Sequence, residues 1–389
     1  MGSRGTRRLF PAASAWVIPK SWACGTMLLD DMSFSAARLS MRALILASAW
    51  ATRRSLARAR YRCFPDQRHS GGNYSKLGKL TTFNDIEYGS MLGDTARLDA
   101  YQRDIGSTVA GQRVLEIGPG PMAVLAKMCL DGGATEVVAI EGNATAARQA
   151  KAELGRNPSY ASRWSVIRGL SSEVSPADVP GGPDFDVLVL ELYNYIAARE
   201  QVVETVSDLR QRGFTFRSVI SRGYETWVAP ARTPPRSPRN LGRLVRGQRP
   251  WPTLPRRPVA AFVKGDMNDL STLRLSRPQL WQQGGFENNV IATTVPDMTF
   301  PLEHPESYAG LLFHNRFLFH GDVLDTSAVP THWGMYFVPL ALPADLMAQQ
   351  DAVTLHTECP DPGRPSIFTL TMRAADQVSA PAVFGRPAR

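Results

Sequence analysis

The chain has 389 residues, of which 43% are hydrophobic and 20% charged, and its net charge is +9. This composition is typical of a globular protein, and the length suits two domains. The basic excess would suggest nucleic acid or a membrane surface as a partner, but residues 1–80 hold 14 of the 44 Lys and Arg residues and only 3 of the 35 Asp and Glu residues. The rest of the chain is nearly neutral, so we expect neither a nucleic-acid partner nor membrane binding.

Residues 1–80 form a basic N-terminal extension that we predict to be transit-like or disordered. Residues 1–62 are rich in Arg, Ala and Ser and poor in acids, as transit peptides are. The apolar run 43–51 is too short to span a bilayer, but a signal peptide and a later start at Met32 or Met41 remain alternatives. We expect a mitochondrial or plastid location if this segment is a targeting signal, and a cytoplasmic or nuclear one if it is not.

Strands and helices alternate from about residue 81 to residue 228. The predicted order is helix 84–105, strand 113–117, helix 121–130, strand 136–140, helix 145–154, strands 165–168 and 187–190, and a helix from Glu200 to near Gly213. Such alternation indicates a Rossmann-like parallel sheet with helices on both faces. We therefore predict one α/β domain over residues 81–228.

The pattern changes to short apolar strands in residues 229–389. The predicted strands are 290–295, 311–319, 335–342, 353–358 and 367–372, with a short helix near 343–348. This pattern predicts an antiparallel β-barrel or sandwich. The expected fold class is thus a Rossmann-like α/β sheet followed by an antiparallel β-barrel domain.

Residues 230–258 begin this second domain with eight Pro, eight Arg and no acidic residue. A segment of this composition cannot build a core. It is either a solvated linker or a basic arm that contacts an acidic partner.

A glycine-rich loop joins the first predicted strand to the next helix. Gly118 and Gly120 follow strand 113–117 and leave room for the backbone to approach a nucleotide. Glu141 directly follows the second predicted strand, where an acid can accept hydrogen bonds from a ribose. These residues fit either a nicotinamide dinucleotide or S-adenosyl-L-methionine (SAM).

Met91, Asp94 and Arg97 are spaced three residues apart in the predicted helix before this loop. At this spacing they would share one face of an α-helix. Arg97 could bind the amino-acid carboxylate of SAM through two hydrogen bonds, whereas a dinucleotide has no such group. This favours SAM, although Asp94 and Arg97 could equally form a solvated ion pair.

Two glutamates nine residues apart, Glu191 and Glu200, follow the buried apolar strand 187–190. Glu191 lies at the end of the strand, where open parallel sheets bind ligands. A hairpin-like loop would bring Glu200 back towards it, and two facing carboxylates can bind one planar cation. Taken alone, the pair is more typical of a strand-end charge and an acid in the first turn of a helix.

The four cysteines are scattered without CxxC spacing. We therefore predict neither a metal site nor a disulfide framework. A reducing compartment is the default expectation for such a chain.

Together these residues resemble the protein arginine methyltransferase family. The matching motifs are, in chain order, Met91-Leu92-x-Asp94-x-x-Arg97, the strand end and glycine loop Val114-Leu115-Glu116-Ile117-Gly118-x-Gly120, Glu141, the spacing of Glu191 and Glu200, and Thr331-His332-Trp333. The resemblance covers about residues 84–373. Met122 and Leu192 stand where the family usually has Gly and Trp.

The resemblance implies SAM-dependent transfer of a methyl group to the guanidinium nitrogen of arginine in protein substrates. Glu191 and Glu200 would clamp that guanidinium, and Asp94 would pair with His332. The resemblance further implies a homodimer. The residues that would bind SAM are Met91, Arg97, Gly118, Gly120, Glu141, Ser172 and Glu173.

Two other functions stay open at this stage. The same architecture could methylate a small molecule or another side chain. Alternatively, the chain could be a non-catalytic relative that binds proteins or nucleic acid through residues 230–258.

Overall fold

The computed structural model describes residues 61–65, 91–234, 261–265, 270–287 and 290–384. The predicted N-terminal extension 1–80, apart from residues 61–65, and most of the Arg/Pro-rich arm 230–258 lie outside these residues. Among the helices that are described, none is long and apolar enough to cross a membrane.

The described residues form five α-helices and eighteen β-strands. The helices are α1 (Thr95–Thr108), α2 (Val124–Asp131), α3 (Ala144–Gly155), α4 (Val202–Gln211) and α5 (Ala344–Met347). The strands of the first half are β1 (Tyr61–Pro65), β2 (Arg113–Ile117), β3 (Glu136–Glu141), β4 (Trp164–Arg168), β5 (Val187–Leu190), β6 (Ser218–Ile220), β7 (Gly223–Ala231), β8 (Ala261–Gly265) and β9 (Gln279–Gly285). The strands of the second half are β10 (Ile291–Thr294), β11 (Asp297–Pro301), β12 (Gly310–Leu318), β13 (Val323–Asp325), β14 (Met335–Pro339), β15 (Ala352–Glu358), β16 (Phe368–Ala374), β17 (Gln377–Val378) and β18 (Ala382–Phe384).

Five strands form a parallel sheet in the order β4, β3, β2, β5, β6. Its central strands are short apolar runs, and every residue of β5 is buried, as expected where helices cover both faces of a sheet. The predicted strands 113–117 and 187–190 coincide with β2 and β5. The predicted Rossmann-like sheet is confirmed.

The helices beside this sheet begin where their sequence favours it. The side-chain oxygen of Asn143 accepts hydrogen bonds from the first free amides of α3 and so caps that helix. The buried residues of α4 recur every three or four positions, which turns one face to the sheet. The predicted start of α4 at Glu200 is wrong by two residues, because a 3-10 turn, Ala197–Glu200, and Gln201 with a φ of +63° precede it.

The predicted continuous helix 84–105 is also wrong, because the helix is interrupted at Gly93 and Asp94. Asp94 has non-helical angles, φ −84° and ψ 82°, and its side chain accepts a hydrogen bond from the backbone N–H of Arg97. Asp is a preferred N-cap residue because its carboxylate satisfies an amide that has no partner within the helix. Met91, Asp94 and Arg97 therefore do not share one face of a helix; the cap of α1 brings them together.

Two antiparallel sheets make up the second half of the fold. The larger has the order β1, β8, β14, β12, β7, β9, β10 with β13 beside β12, and the smaller has the order β11, β15, β16, β17 with β18 beside β16. They pack on one hydrophobic cluster, in which the Trp281 ring lies 5.4 Å from Phe313 of the larger sheet and 4.9 Å from Phe368 of the smaller one, between centroids. Two antiparallel sheets over one core form a barrel-like unit. The predicted fold class of this half is confirmed.

Two strands lie at the limits of the predicted domains. Strand β7 crosses the predicted boundary at residues 228 and 229 and pairs with β12 from its first residue, so the antiparallel region begins at Gly223. Strand β1 lies within the predicted N-terminal extension and pairs with β8, from Tyr61 opposite Gly265 to Pro65 opposite Ala261. The extension therefore contributes a strand to the larger antiparallel sheet.

Candidate active site

The carboxyl ends of three parallel strands carry polar features. β2 leads into Gly118, β3 ends at Glu141, and β5 is followed by Glu191. Because parallel strands end at the same edge of a sheet, these residues lie at one edge, where open α/β sheets bind ligands. The N–H of Gly118 donates to the carbonyl oxygen of Ile140 at 2.9 Å, which holds the glycine loop against β3.

Glu141 supports the glycine loop from the neighbouring strand. Gly118 and Gly120 have φ angles of +73° and +66°, which residues with a Cβ rarely adopt. The amide of Gly120 donates to Oε2 of Glu141 at 3.0 Å, and the amide of Asn143 donates to Oε1 at 2.7 Å. Burial raises the pKa of Glu141, and the two amides partly oppose this effect. Each carboxylate oxygen keeps a second lone pair for a hydroxyl group of a ligand.

Arg97 lies at the centre of the site. Its Nη1 donates to Oε2 of Glu191, and its Nη2 donates to the carbonyl oxygen of Met91 at 2.9 Å. The side chains of Arg97 and Glu191 are only 4% and 9% exposed, so this is a buried, charge-assisted contact. The structure thus joins Arg97 and Glu191, although we expected Arg97 to bind SAM and Glu191 to bind the substrate guanidinium.

Asp94 and His332 form the second charged pair of the site, although 238 residues separate them. Oδ2 of Asp94 accepts a hydrogen bond from the backbone N–H of His332 at 2.7 Å and lies 2.8 Å from its Nδ1. The other carboxylate oxygen of Asp94 caps α1. The structure therefore brings together the two residues that were predicted to pair.

The environment of this pair favours an ionised aspartate and a neutral histidine. Burial lowers the pKa of His332, and the hydrogen bond to Asp94 only partly opposes this effect. Burial acts to raise the pKa of Asp94, but the hydrogen bonds from His332 and Arg97 outweigh it, and the pKa is lowered. The carboxylate requires the ring proton of His332 on Nδ1, which leaves the lone pair of Nε2 free to accept a proton.

The loop that carries His332 is tied to the loop that carries the two glutamates. The indole Nε1 of Trp333 donates to the carbonyl oxygen of Tyr193 at 3.0 Å. Within the loop that carries His332, the amide of Gly334 donates to the hydroxyl of Thr331 at 3.2 Å. These contacts fix the Thr-His-Trp segment against the edge of the parallel sheet.

Three buried polar atoms at this edge have no hydrogen-bond partner among the described residues: Nε of Arg97, Oε2 of Glu116 and Oε1 of Glu191. Glu116 lies in β2 and is 2% exposed. Burial raises its pKa to about 8, and the charges of Glu141 and Glu191 reinforce the shift. Buried polar atoms without partners are uncommon in folded proteins. Three of them at one sheet edge indicate the place of a polar ligand.

Glu200 ends the 3-10 turn that follows the glutamate loop. Its Oε1 accepts a hydrogen bond from Nδ2 of Asn194 at 3.0 Å. Oδ1 of the same asparagine accepts from the amide of Tyr195 at 2.8 Å, which fixes the orientation of its carboxamide. Glu191 thus has a partner in α1, and Glu200 has one in its own loop.

Ser172 and Glu173 lie in an exposed turn after β4. Strand β4 is next to β3, and the amide of Gly169 donates to the backbone carbonyl of Glu141 at 3.0 Å, so this turn belongs to the same sheet edge. The Arg212 guanidinium at the end of α4 donates to the carbonyl oxygens of Ser171 and Val174. The turn is therefore held in place from α4.

The two residues that depart from the family pattern border the glycine loop. A Cβ at Gly118 would lie 3.8 Å from Cδ2 of Leu192, so the leucine side chain covers the loop from the glutamate side. Met122 lies between Gly120 and the start of α2 and is 38% exposed. Both side chains are apolar, and neither forms a hydrogen bond with the polar groups described above.

Sequence reasoning missed three polar residues of this region. Glu116 had a visible signal, because it is an acid between the apolar residues Leu115 and Ile117 of a buried strand. Asn194 and the fully buried Asn315 had none, because their partners lie in distant segments or in the backbone.

Comparison with known proteins identifies the fold. No family model and no curated protein matches the chain. Solved structures do match, and those that follow are all protein arginine methyltransferases. Protein arginine methyltransferase 10 of Arabidopsis thaliana, in an open conformation, is 16% identical with a TM-score of 0.53, covering 77% of this chain and 97% of that one. PRMT6-SAH is 14% identical with a TM-score of 0.52, covering 75% and 99%.

A third match is the Trypanosoma brucei PRMT1 enzyme-prozyme heterotetrameric complex with AdoHcy, which is 17% identical with a TM-score of 0.52 and covers 78% of this chain and 98% of that one. These matches span both the parallel sheet and the barrel-like unit. The chain therefore has the fold of the protein arginine methyltransferases.

Proposed function

We propose that the chain is a SAM-dependent protein arginine N-methyltransferase. The observation that carries the proposal is the meeting of Asp94, Arg97, Glu191 and His332 at the ligand-binding edge of a sheet whose fold is that of the arginine methyltransferases. Two glutamates beside the Asp94–His332 pair suit an acceptor that is cationic and that releases a proton, as a guanidinium does.

The residues at the edge fit SAM as a cofactor. The partnerless Nε of Arg97 suits a carboxylate, and the remaining lone pairs of Glu141 suit the hydroxyls of a ribose. Ser172 and Glu173 would contact the adenine, and Met91, Gly118 and Gly120 would border the rest of the cofactor. Two of the similar structures contain SAH or AdoHcy. When bound, SAM supplies a methyl group on a sulfonium centre.

Glu191 and Glu200 would bind the guanidinium of the substrate arginine. An arginine side chain stays protonated at physiological pH, and its charge is spread over three nitrogens. Hydrogen bonds from two carboxylates draw this charge towards the nitrogens that they contact. The remaining nitrogen then keeps more of its lone pair for attack, and its alignment with the methyl group supplies much of the acceleration.

His332 would accept the proton that leaves the methylated nitrogen. Its lowered pKa keeps the ring neutral near pH 7, and Asp94 keeps the ring proton on Nδ1. The buried carboxylate of Asp94 also stabilises the imidazolium that forms after proton transfer.

The proposed enzyme would act on arginine-containing proteins. We also propose a homodimer, as the family resemblance implies; one of the similar structures is itself an oligomer, an enzyme-prozyme heterotetramer. Light scattering of the purified chain would measure its mass in solution.

The decisive experiment is incubation with SAM labelled in the methyl group and an arginine-rich protein, followed by amino-acid analysis of the hydrolysate. We expect labelled methylarginines, and none with the Glu191→Gln variant. Label in a small molecule or in another side chain would instead identify a different methyltransferase. Absence of SAM binding by calorimetry would indicate a non-catalytic binding protein.

A further inference from the structure

We propose that Asn315, in strand β12 of the barrel-like unit, positions Glu200 through Asn194. The inference rests on the proposed function for its catalytic meaning, but its structural part can be tested without activity. Asn315 lies 115 positions after Glu200 in the sequence, and none of the motifs discussed above includes it.

The carboxamide of Asn315 bridges the two halves of the fold. Its Nδ2 donates to the carbonyl oxygens of Asn194 and Tyr195, both at 3.1 Å. Its Oδ1 accepts a hydrogen bond from the hydroxyl of Thr226 at 2.9 Å. The two carbonyl acceptors require the NH2 group on their side, so the orientation of the amide is determined by the hydrogen bonds.

The surroundings of this amide exclude water. Asn315 and its partners Thr226 and Thr326 are all 0% exposed. The backbone N–H of Asn315 donates to the hydroxyl of Thr326 at 3.0 Å, and the N–H of Thr326 donates back to the carbonyl oxygen of Asn315 at 2.9 Å. A buried polar group that loses its partner carries the full cost of desolvation, so a satisfied network of this kind has one arrangement.

Asn is disfavoured within strands, and β12 is otherwise mainly apolar. An apolar residue at position 315 would leave the carbonyl oxygens of Asn194 and Tyr195 without these donors. The presence of Asn at this place is therefore explained by the glutamate loop rather than by the strand that carries it.

A single residue, Asn194, connects Asn315 of the barrel-like unit to the carboxylate of Glu200. The same Asn194 whose carbonyl oxygen is held by Asn315 donates through Nδ2 to Oε1 of Glu200 at 3.0 Å. The amide of Tyr195 holds the other end of the Asn194 carboxamide. Displacing the backbone at residues 194 and 195 would therefore turn the Asn194 side chain and move the carboxylate of Glu200. Asn315 is thus a positioning residue for one arm of the guanidinium clamp.

The first test is hydrogen exchange, which needs no substrate. We expect Asn315→Ala to increase exchange in peptides covering residues 191–201, while peptides of β2 and β3 stay as in the wild type. Unchanged exchange in residues 191–201 would overturn the inference. Thr357→Val is the matched control, because Thr357 is also buried in the barrel-like unit and accepts a hydrogen bond, from Trp281 Nε1 at 2.9 Å, away from the loop.

The second test is a double-mutant cycle with Glu200→Gln on methylation of an arginine peptide. We expect Asn315→Ala to lower kcat on the order of 100-fold, as misplacement of a catalytic group does, with the dissociation constant of SAM within about threefold of the wild type. In the Glu200→Gln background the same substitution should have an effect of less than about threefold, because both act through one carboxylate. Equal effects in both backgrounds would show that Asn315 does not act through Glu200.

A third variant keeps the inference testable if Asn315→Ala does not fold. Asn194→Ala leaves the network of Asn315, Thr226 and Thr326 intact and removes the bond to Glu200. We expect it to reproduce the loss of kcat, and activity at the wild-type level would overturn the inference. If the wild-type chain itself methylates no arginine, the proposed function fails, whereas the exchange result still decides whether Asn315 holds the loop.

Discussion

The guanidinium of Arg97 lies against the carboxylate of Glu191, with the two side chains 4% and 9% exposed. Glu191 therefore already binds a guanidinium, supplied by the chain itself. The contact leaves Nε of Arg97 and Oε1 of Glu191 without partners among the described residues, so each group retains capacity for a second ligand. Arg97 and Glu191 are thereby coupled, and a change at one of them is felt at the other.

The first prediction concerns this ion pair. We expect Glu191→Gln to abolish methyl transfer and to lower the free energy of unfolding by about 3 kcal/mol, because it leaves the buried Arg97 without a charged partner. Urea unfolding would measure the second effect. Asp322→Asn is the matched control: Asp322 pairs with Arg103 at the surface, with side chains 42% and 61% exposed. Its removal should change stability by less than about 1 kcal/mol.

The second prediction is a pH dependence of methyl transfer. His332 accepts a proton only when it is neutral, and burial lowers its pKa below the ordinary value. We therefore expect kcat/KM to stay level down to the ordinary pKa of histidine, about 6.5, and to fall only at lower pH. A pH–rate profile would check this. His332→Gln should remove that limb of the profile and lower kcat by about 100-fold, and a limb that persists in the variant would assign the titration to another group.

The same histidine affects stability. In the unfolded chain His332 binds a proton below about pH 6.5, whereas in the folded chain its lowered pKa keeps it neutral. The unfolded state therefore binds more protons below about pH 6.5. The free energy of unfolding then falls as the pH falls. We expect His332→Gln to reduce this loss between pH 7 and pH 5 in thermal unfolding. Equal slopes in the wild type and the variant would contradict a neutral, buried His332.

The third prediction concerns Glu116, whose pKa burial raises to about 8. The folded state therefore holds a proton that the unfolded state releases near pH 4.5, and stability falls as the pH rises from there towards 8. Glutamine has the shape of the neutral acid but cannot ionise. We expect Glu116→Gln to raise Tm at pH 9 on the order of 5 °C and to change it little at pH 5.5. Equal shifts at both pH values would contradict a neutral Glu116.

The fourth prediction concerns Arg212, which holds the turn of Ser172 and Glu173. Its Nη1 donates to the carbonyl oxygen of Val174 at 2.7 Å. We expect Arg212→Gln to weaken SAM binding by about 5-fold, a loss on the order of 1 kcal/mol for one backbone contact. Calorimetry would measure it.

Arg210 provides the control for this experiment. It lies on the same helix and donates to the carbonyl oxygens of Phe286 and Glu287, away from the turn. Arg210→Gln should leave the affinity for SAM unchanged. Similar losses in both variants would show that the effect arises from the helix as a whole.

Part of this fold follows from the sequence by local rules. The central strands β2 and β5 were predictable because short branched apolar runs between polar turns are typical of buried parallel strands. The break before α1 was also readable in principle, since Gly93 followed by Asp94 is a common helix start. It was missed because the spacing of Met91, Asp94 and Arg97 suits a continuous helix.

The rest depends on contacts between distant segments. The pairing of Asp94 with His332 was expected only through the family resemblance, because no local pattern relates residues that far apart. Asn315 has no local signal at all, since a single Asn in an apolar strand does not identify its partner. Short strands such as β13 and β17 were missed because two or three residues carry too little periodicity.

The tie between Trp333 and Tyr193 has a consequence for the order in which the protein acquires activity. During synthesis the parallel sheet leaves the ribosome first, with Arg97, Glu141 and both glutamates already in the chain, whereas His332 and Trp333 follow more than a hundred residues later. Domains tend to fold in the order in which they are made. A nascent chain can therefore form the glycine loop while it still lacks the proton acceptor. On the proposed function, methyl transfer would begin only when the last third of the chain has docked, so activity itself would report completed folding.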